Sequence, residues 1–129
     1  MQIKIKCPAK INLTLEVTGK RPDGFHNIRS VMQAIDLYDY LTINLKEADS
    51  SVINLTGTSD EIPYNDKNLV YKAVELYLTS HEHAENYEIS VHIEKNIPVA
   101  SGLAGGSADA AGMIFILNKI FGAIDNNGI

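Results

Sequence analysis

Alternation with a period of two opens the chain. Gln2, Lys4 and Lys6 interleave with Ile3, Ile5 and Cys7, the pattern of a strand buried on one face. After Pro8 a second alternation sets Ala9, Ile11, Leu13, Leu15 and Val17 against Lys10, Asn12, Thr14 and Glu16, which puts Lys10 and Asn12 on one polar face. Thr18 to His26 is dense in turn formers, with Pro22 preset for a turn and Gly24 able to take positive φ, so a loop there presents Phe25 and His26. Residues 28–35 and 40–46 read as further strands, the second with Leu41, Ile43 and Leu45 on one side, and Val52 to Leu55 adds a short one. Their close spacing predicts antiparallel pairing.

The period then changes. Leu69, Val70, Ala73, Val74 and Tyr77 recur at helical spacing and predict a helix over 68–80, after a polar stretch from Asp60 to Asn68. Tyr87, Ile89, Val91 and Ile93 alternate with Glu88, Ser90, His92 and Glu94, a half-buried strand that leads through Pro98 into a glycine-rich segment. A helix from Gly105 carries Met113, Ile114, Phe115, Ile116, Leu117, Ile120 and Phe121, which predicts burial nearly all round, and Asp125 to Ile129 reads as a polar tail. The elements add up to one α+β domain over residues 1–129, a mainly antiparallel sheet packed by two helices.

The 129 residues are 45% hydrophobic, enough for a core of ordinary size. Eleven Lys and Arg against sixteen Asp and Glu give a net charge of −5, which repels a phosphate backbone and argues against nucleic acid as the main partner. No apolar run approaches the roughly 18 residues that span a bilayer, and the first ten residues lack a continuous apolar stretch, so a cytoplasmic protein with no membrane partner is expected. The single cysteine, Cys7, forms no internal disulfide and reads as a small core residue. His81 and His83 lie at a helix end with spacing that turns them apart, a solvated terminus rather than a metal site, and His92 lies on a polar strand face.

Candidate chemistry concentrates in residues 97–111, IPVASGLAGGSADAA, which join a strand to a helix through three glycines and two serines. Small residues let main-chain N–H groups turn toward one point, and a helix starting near Gly105 or Gly106 adds unpaired donors and a positive dipole end, so an anion is the natural occupant. The segment lacks the Gly-Lys-Ser/Thr ending of a Walker loop and the Gly-x-Gly-x-x-Gly register of a dinucleotide fold. A plain strand–turn–helix connection fits the same residues, as a solvated polar face fits Lys10 and Asn12 and a surface turn fits His26.

Together these residues resemble the GHMP small-molecule kinases, whose phosphate loop runs Pro-x-x-x-Gly-Leu-small-small-Ser, here PVASGLAGGS. PAKINLTLEVTGKRPDGFH combined with IPVASGLAGGSADAA narrows the resemblance to members that use ATP to phosphorylate a hydroxyl of a diphosphocytidyl methylerythritol, in the isoprenoid route that bypasses mevalonate. The resemblance implies the fold of that family's N-terminal domain, which is related to a domain of a small-subunit ribosomal protein. It implies ATP and Mg²⁺ as cofactors and a substrate with a cytidine diphosphate group. By it Lys10 is catalytic, placed near the substrate hydroxyl to stabilise developing charge, with Asn12 beside it. Phe25 and His26 would hold the cytidine, and Asn68, Leu69 and Lys95 fall where the family contacts adenosine. Pro98, Val99, Ala100, Ser101, Gly102, Leu103, Ala104, Gly105, Gly106, Ser107 and Ala108 would surround the phosphates, with Ser107 also a ligand for the metal.

The sequence departs from the family in two places. Ala108 stands where relatives usually show a second serine. The catalytic aspartate, expected in a Gly-x-Asp-Val context after the loop helix, has no counterpart, and Asp125 is not assigned to that role. Asp109 reads as a helix N-terminal acid that complements the dipole. A second domain is expected outside residues 1–129, which leaves the chain a fragment whose own activity is open and whose apolar helix over 109–121 is uncovered and available for self-association. Two other readings stay in view. Another family member acting on mevalonate, homoserine or a sugar leaves DGFH unexplained, and an RNA-binding module of the same fold is opposed by the charge.

Overall fold

The computed structural model describes residues 1–84 and 86–127, with the side chains of residues 15, 26, 28, 83 and 123–127 left aside. In chain order it contains β1 (Gln2–Lys20), β2 (His26–Glu47), β3 (Val52–Gly57), α1 (Leu69–Ser80), a single 3-10 turn (Glu82–Ala84), β4 (Tyr87–Glu94) and α2 (Gly105–Asn127). The sheet order is β1-β2-β4-β3. Leu41, Ile43 and Leu45 of β2 and Ile89, Val91 and Ile93 of β4 point to one face, where α1 and α2 cover them with Val70, Val74, Met113, Leu117 and Phe121. On the opposite face Lys4 lies over the Tyr40 ring and Lys6 over Tyr38, at 5.0 and 4.7 Å from the centroids. The lysine stems there shield aromatic surface that the helices do not reach.

Four expectations from the sequence need correction. The alternations on either side of Pro8 are one strand, because β1 is an edge strand and an edge tolerates a residue without an N–H donor. Residues 28–35 and 40–46 are likewise one strand. Lys10 pairs with Ala34 and Pro8 with Tyr38, so residues 35–37 bulge opposite Ala9 alone, and this irregularity hides the continuity. The sheet is mainly antiparallel as expected, but β3 departs from the antiparallel pairing that its close spacing suggested and runs parallel to β4 through a crossover containing α1. Finally α2 is helical into the expected polar tail and is not buried all round, with Ile114 37% and Phe115 58% exposed. Residues 128 and 129 of that tail lie outside the described part.

Because β4 pairs only with Tyr40–Glu47, the remainder of β1 and β2 projects beyond the sheet as a two-stranded ribbon. Leu13, Val17, Val31 and Met32 on it are exposed. Asn68 caps α1, its Oδ1 accepting from the Val70 amide at 2.8 Å while its Nδ2 donates to the Pro63 carbonyl at 2.7 Å. Among the described residues no helix is long and apolar enough to cross a membrane.

One polar knot interrupts the apolar core. Asp39, 0% exposed, lies in the same inward phase of β2 as Leu41. Its Oδ2 accepts from Lys95 Nζ at 2.5 Å, and its Oδ1 from the amides of Asn96 and Ile97 at 2.7 and 2.8 Å. Lys95 Nζ also donates to Asp109 Oδ2 at 3.1 Å, while Asp109 Oδ1 is buried without a partner. Burial works against the charge on Asp39, but the Asp109 carboxyl beside it, the two amides and Lys95 together hold its pKa below the usual carboxylate range. Burial likewise opposes the Lys95 ammonium, and the two acids outweigh it, raising its pKa. Asp109 is pushed up to about 7, first by burial and then by Asp39. Cys7 is pushed up to about 12, again chiefly by burial, and is an unreactive thiol.

Two predictions follow from this packing. Above pH ~4 the unfolded Asp109 carboxyl is ionised, whereas the folded one keeps its proton to about 7. The folded state thus holds more protons in that window, and the stability contributed by protonated Asp109 is lost as pH rises through it. Thermal unfolding of the wild type and Asp109→Asn from pH 4.5 to 8 is expected to show the wild type falling behind steadily as pH rises; a pH-independent offset would exclude the raised carboxyl. At the α2–β1 contact, a Cβ on Gly112 would lie 2.6 Å from Cys7 Sγ and 3.0 Å from Ile5 Cδ1. Gly112→Ala is expected to cost about 1–3 kcal/mol in urea unfolding, and Cys7→Ala in that background to recover part of it. Additive losses would show that the two residues do not meet.

Candidate active site

The segment between β4 and α2 contains three residues with left-handed backbone, Ala100 (φ 57°), Gly102 (φ 79°) and Ala104 (φ 60°). An alanine in that region is strained by roughly 1–3 kcal/mol, so the surrounding structure must hold it there. Ser101 helps from within. Its Oγ donates to the Pro98 carbonyl at 2.7 Å and accepts from the Leu103 amide at 3.4 Å, so this hydroxyl is engaged inside the loop.

Helix α2 begins without a side-chain cap. Its first closing bond runs from the Ala108 amide to the Ala104 carbonyl at 2.9 Å. The amides of Gly105, Gly106 and Ser107 precede it, and no acceptor meets them among the described residues. These are the orphan donors of a helix start, aligned with the positive end of the dipole. Gly105 has a second reason to be glycine, because a Cβ there would lie 2.9 Å from Ile97 Cγ2 and 3.1 Å from Lys95 Nζ.

Two adjoining cavities open on this helix start. The larger, about 340 Å³, is lined by the whole loop from Pro98 to Gly102 and by Ala104 to Ser107. The smaller, about 160 Å³, runs between the start of α1 and the first turns of α2, with Asn68, Leu69, Lys95, Gly106 and Asp109 in its wall. The first is a concave surface rich in unpaired N–H groups, and the second is mainly apolar.

Lys10 reaches this loop from β1. Its amide donates to the Leu103 carbonyl at 3.2 Å and its Nζ to the Gly102 carbonyl at 3.2 Å. The half-buried ammonium is thus fixed at the edge of the loop and adds a full positive charge beside the helix start. Ser107 is exposed on the lining of the larger cavity and Ala108 is half-buried behind it. Asn68 and Lys95 line the smaller cavity, but their polar atoms are already engaged, Asn68 in the α1 cap and Lys95 between two acids. Leu69, 47% exposed, remains open to a ligand.

The other expected contacts lie elsewhere. Asn12 is exposed on the ribbon and accepts from Ser30 Oγ at 3.2 Å. Phe25, 71% exposed, sits in the tip turn, where Gly24 takes the expected positive φ (91°) and Asp23 Oδ1 accepts the Phe25 amide at 3.1 Å. His26 pairs with Lys20 in the ladder, and its side chain lies outside the described part. A straight ribbon would hold the tip about 30 Å from Lys10, and the register shifts between Asn12/Thr14 and Val17/Gly19 bend it. Asp109 is more than the helix N-terminal acid expected from its position. It is the fifth residue of α2 and faces inward with Met113 one turn on, which makes it part of the buried knot.

Residues 68–128 match the GHMP kinases N terminal domain family. The chain is 48% identical over 118 residues to the 4-diphosphocytidyl-2-C-methyl-D-erythritol kinase of Caldicellulosiruptor saccharolyticus, an alignment covering 92% of this chain and 39% of that protein. It is 46% identical over 119 residues to the enzyme of the same name from Clostridium tetani, covering 92% and 41%. A crystal structure of 4-(cytidine 5'-diphospho)-2C-methyl-D-erythritol kinase superposes with a TM-score of 0.75 at 31% identity, covering 92% of this chain and 41% of that one. Homoserine kinase from Cytophaga hutchinsonii, at 20% identity and a TM-score of 0.67, shares the fold. The chain spans about two fifths of the length of these proteins. On sequence and on architecture alike, it carries the N-terminal domain of the GHMP kinase family.

Proposed function

We propose that this chain provides the nucleotide-phosphate cradle and the active-site lysine of a cytoplasmic kinase that transfers the γ-phosphoryl group of ATP to a hydroxyl of 4-diphosphocytidyl-2-C-methyl-D-erythritol. The observation that carries the reading is the set of unpaired amides at Gly105, Gly106 and Ser107, opening on a cavity with the Lys10 ammonium fixed 3.2 Å from the Gly102 carbonyl at its edge. Phosphoryl transfer asks a protein for positioning and charge stabilisation more than for covalent chemistry, and donors fixed before the substrate arrives serve both.

In this reading the loop from Pro98 to Ala108 wraps the phosphates. Lys10 stabilises negative charge as the hydroxyl attacks, and Asn12 orients the substrate beside it. Phe25 and His26, on the bent ribbon, hold the cytidine by stacking and hydrogen bonding. Leu69 and the wall around Lys95 and Asn68 receive the adenosine, with Lys95 and Asn68 shaping the wall more than bonding to the ligand. Among the described residues no three His, Cys, Asp or Glu side chains gather to hold a metal. The exposed hydroxyl of Ser107 suits one position in a Mg²⁺ shell whose other ligands are the nucleotide phosphates. When bound, the ion neutralises charge on those phosphates. The Gly-x-Asp-Val carboxylate expected of the family is not in this sequence, and we assign it, together with a second domain, to the length of the relatives that the chain does not span. The exposed Ile114 and Phe115 of α2 form the surface through which two copies would associate.

A kinase for mevalonate or homoserine shares the fold but gives DGFH no purpose. Competition separates the readings. Cytidine diphosphate is expected to displace the substrate or a fluorescent analogue of it, whereas mevalonate and homoserine do not; displacement by either of those would reassign the substrate. In the phosphotransfer assay Lys10→Ala is expected to lower the rate by roughly 10²–10³-fold, the scale for one preorganised charge-stabilising group. An unchanged rate would remove Lys10 from the catalytic set.

A further inference from the structure

Asp39 lies beneath the phosphate loop, lines neither cavity itself, reaches their walls through Lys95 and has no part in the reaction described above. Its bonds nonetheless converge on one place. The strand β4 ends at Glu94, and the next three residues each give Asp39 a donor: Lys95 through Nζ at 2.5 Å, Asn96 and Ile97 through their amides at 2.7 and 2.8 Å. Asn96 adds a bond from Nδ2 to the Tyr38 carbonyl at 2.9 Å, so the chain leaving β4 is bolted to Tyr38 and Asp39 of β2. From there Lys95 passes the constraint on. Its Nζ donates to Asp109 in α2 at 3.1 Å and lies 3.1 Å from the position a Gly105 Cβ would occupy.

We propose that Asp39 is a positioning residue for the nucleotide site: it fixes the exit of β4 and, through Lys95, the first two turns of α2, so that the Gly105, Gly106 and Ser107 amides face the cavity before any ligand arrives. The inference rests on the reading of that cavity as a phosphate site. Three donors on one carboxylate are shorter, on average, than neutral bonds and cannot be replaced by water at a fully buried position. Removing the charge frees Lys95 to follow Asp109 alone and weakens the hold on the Asn96 and Ile97 amides, from which the chain runs into the loop.

The test uses this chain, amide hydrogen exchange and inorganic tripolyphosphate as probe. In the wild type the Asn96 and Ile97 amides should be protected as well as those of Val91 and Ile93; exchange as fast as in the exposed loop would overturn the proposal. Asp39→Asn should lose that protection and bind tripolyphosphate at least tenfold more weakly. Lys95→Met should keep protection at Asn96 and Ile97 but loosen the amides of Ala108 and Asp109. The control is Leu45→Ala, a core truncation six residues along β2, which lowers stability without touching the loop. If Leu45→Ala weakens tripolyphosphate as much as Asp39→Asn does, Asp39 is structural only and the proposal falls. Should the wild type bind no tripolyphosphate, the phosphate reading fails by itself, and the exchange pattern still decides whether Asp39 fixes the chain beyond β4.

Discussion

A single buried ammonium between two aspartate side chains ties β2, the end of β4 and α2 together beneath the candidate site. Asp39 comes from β2, Lys95 from the end of β4 and Asp109 from the second turn of α2. Desolvating three ionisable groups is expensive, and such clusters rarely add net stability compared with a well-packed apolar core. What they do is penalise alternatives. Any register of β2 or placement of α2 that separates the three leaves a charge buried and unpaired, at a cost of about 3–5 kcal/mol. The knot therefore restricts the geometry at one spot, and that spot lies directly below the glycine-rich loop.

The loop itself is shaped by what it leaves unmade. A helix start normally recruits a Ser, Thr, Asp or Asn side chain to satisfy its first amides, as Asn68 does for α1. At α2 the corresponding position is Ala104, which has no side-chain acceptor. Ser101 turns its hydroxyl back to Pro98 and does not substitute for the cap. The first amides of α2 are left without an acceptor among the described residues, and the charge beside them is Lys10, drawn to the loop by main-chain and side-chain bonds at once. The helix start that a cap could have fixed locally is instead fixed in position by the knot, and the donors left open by that arrangement face the candidate site.

Much of this was legible in residue patterns. The helix over 69–80, the strand 87–94 and the buried Cys7 follow from short-range periodicity and are where that periodicity puts them. The continuity of β1 and β2 was not, because a proline and a bulge break the alternation locally while the ladder persists across strands. Parallel pairing of β3 with β4 depends on residues some 36 positions apart, and no local signal encodes it. The knot was missed although a signal existed. Asp39 continues the inward phase of Leu41, Ile43 and Leu45, Lys95 that of Ile89, Val91 and Ile93, and Asp109 lies one turn before the buried Met113. Acids and a lysine at three core-facing positions must pair with one another. Lys10 was placed on its polar face by alternation, whereas its two bonds to the loop come from the return of the chain 92 residues later.

The central claim is that main-chain amides at the mouth of α2 bind a triphosphate. It is tested most directly by following the ¹⁵N–¹H resonances of Gly105, Gly106 and Ser107 while a non-hydrolysable ATP analogue is added with Mg²⁺. The account predicts saturable shifts centred on these three amides and on Gly102. Shifts confined to another surface, or amides that do not respond at saturating nucleotide, would contradict it.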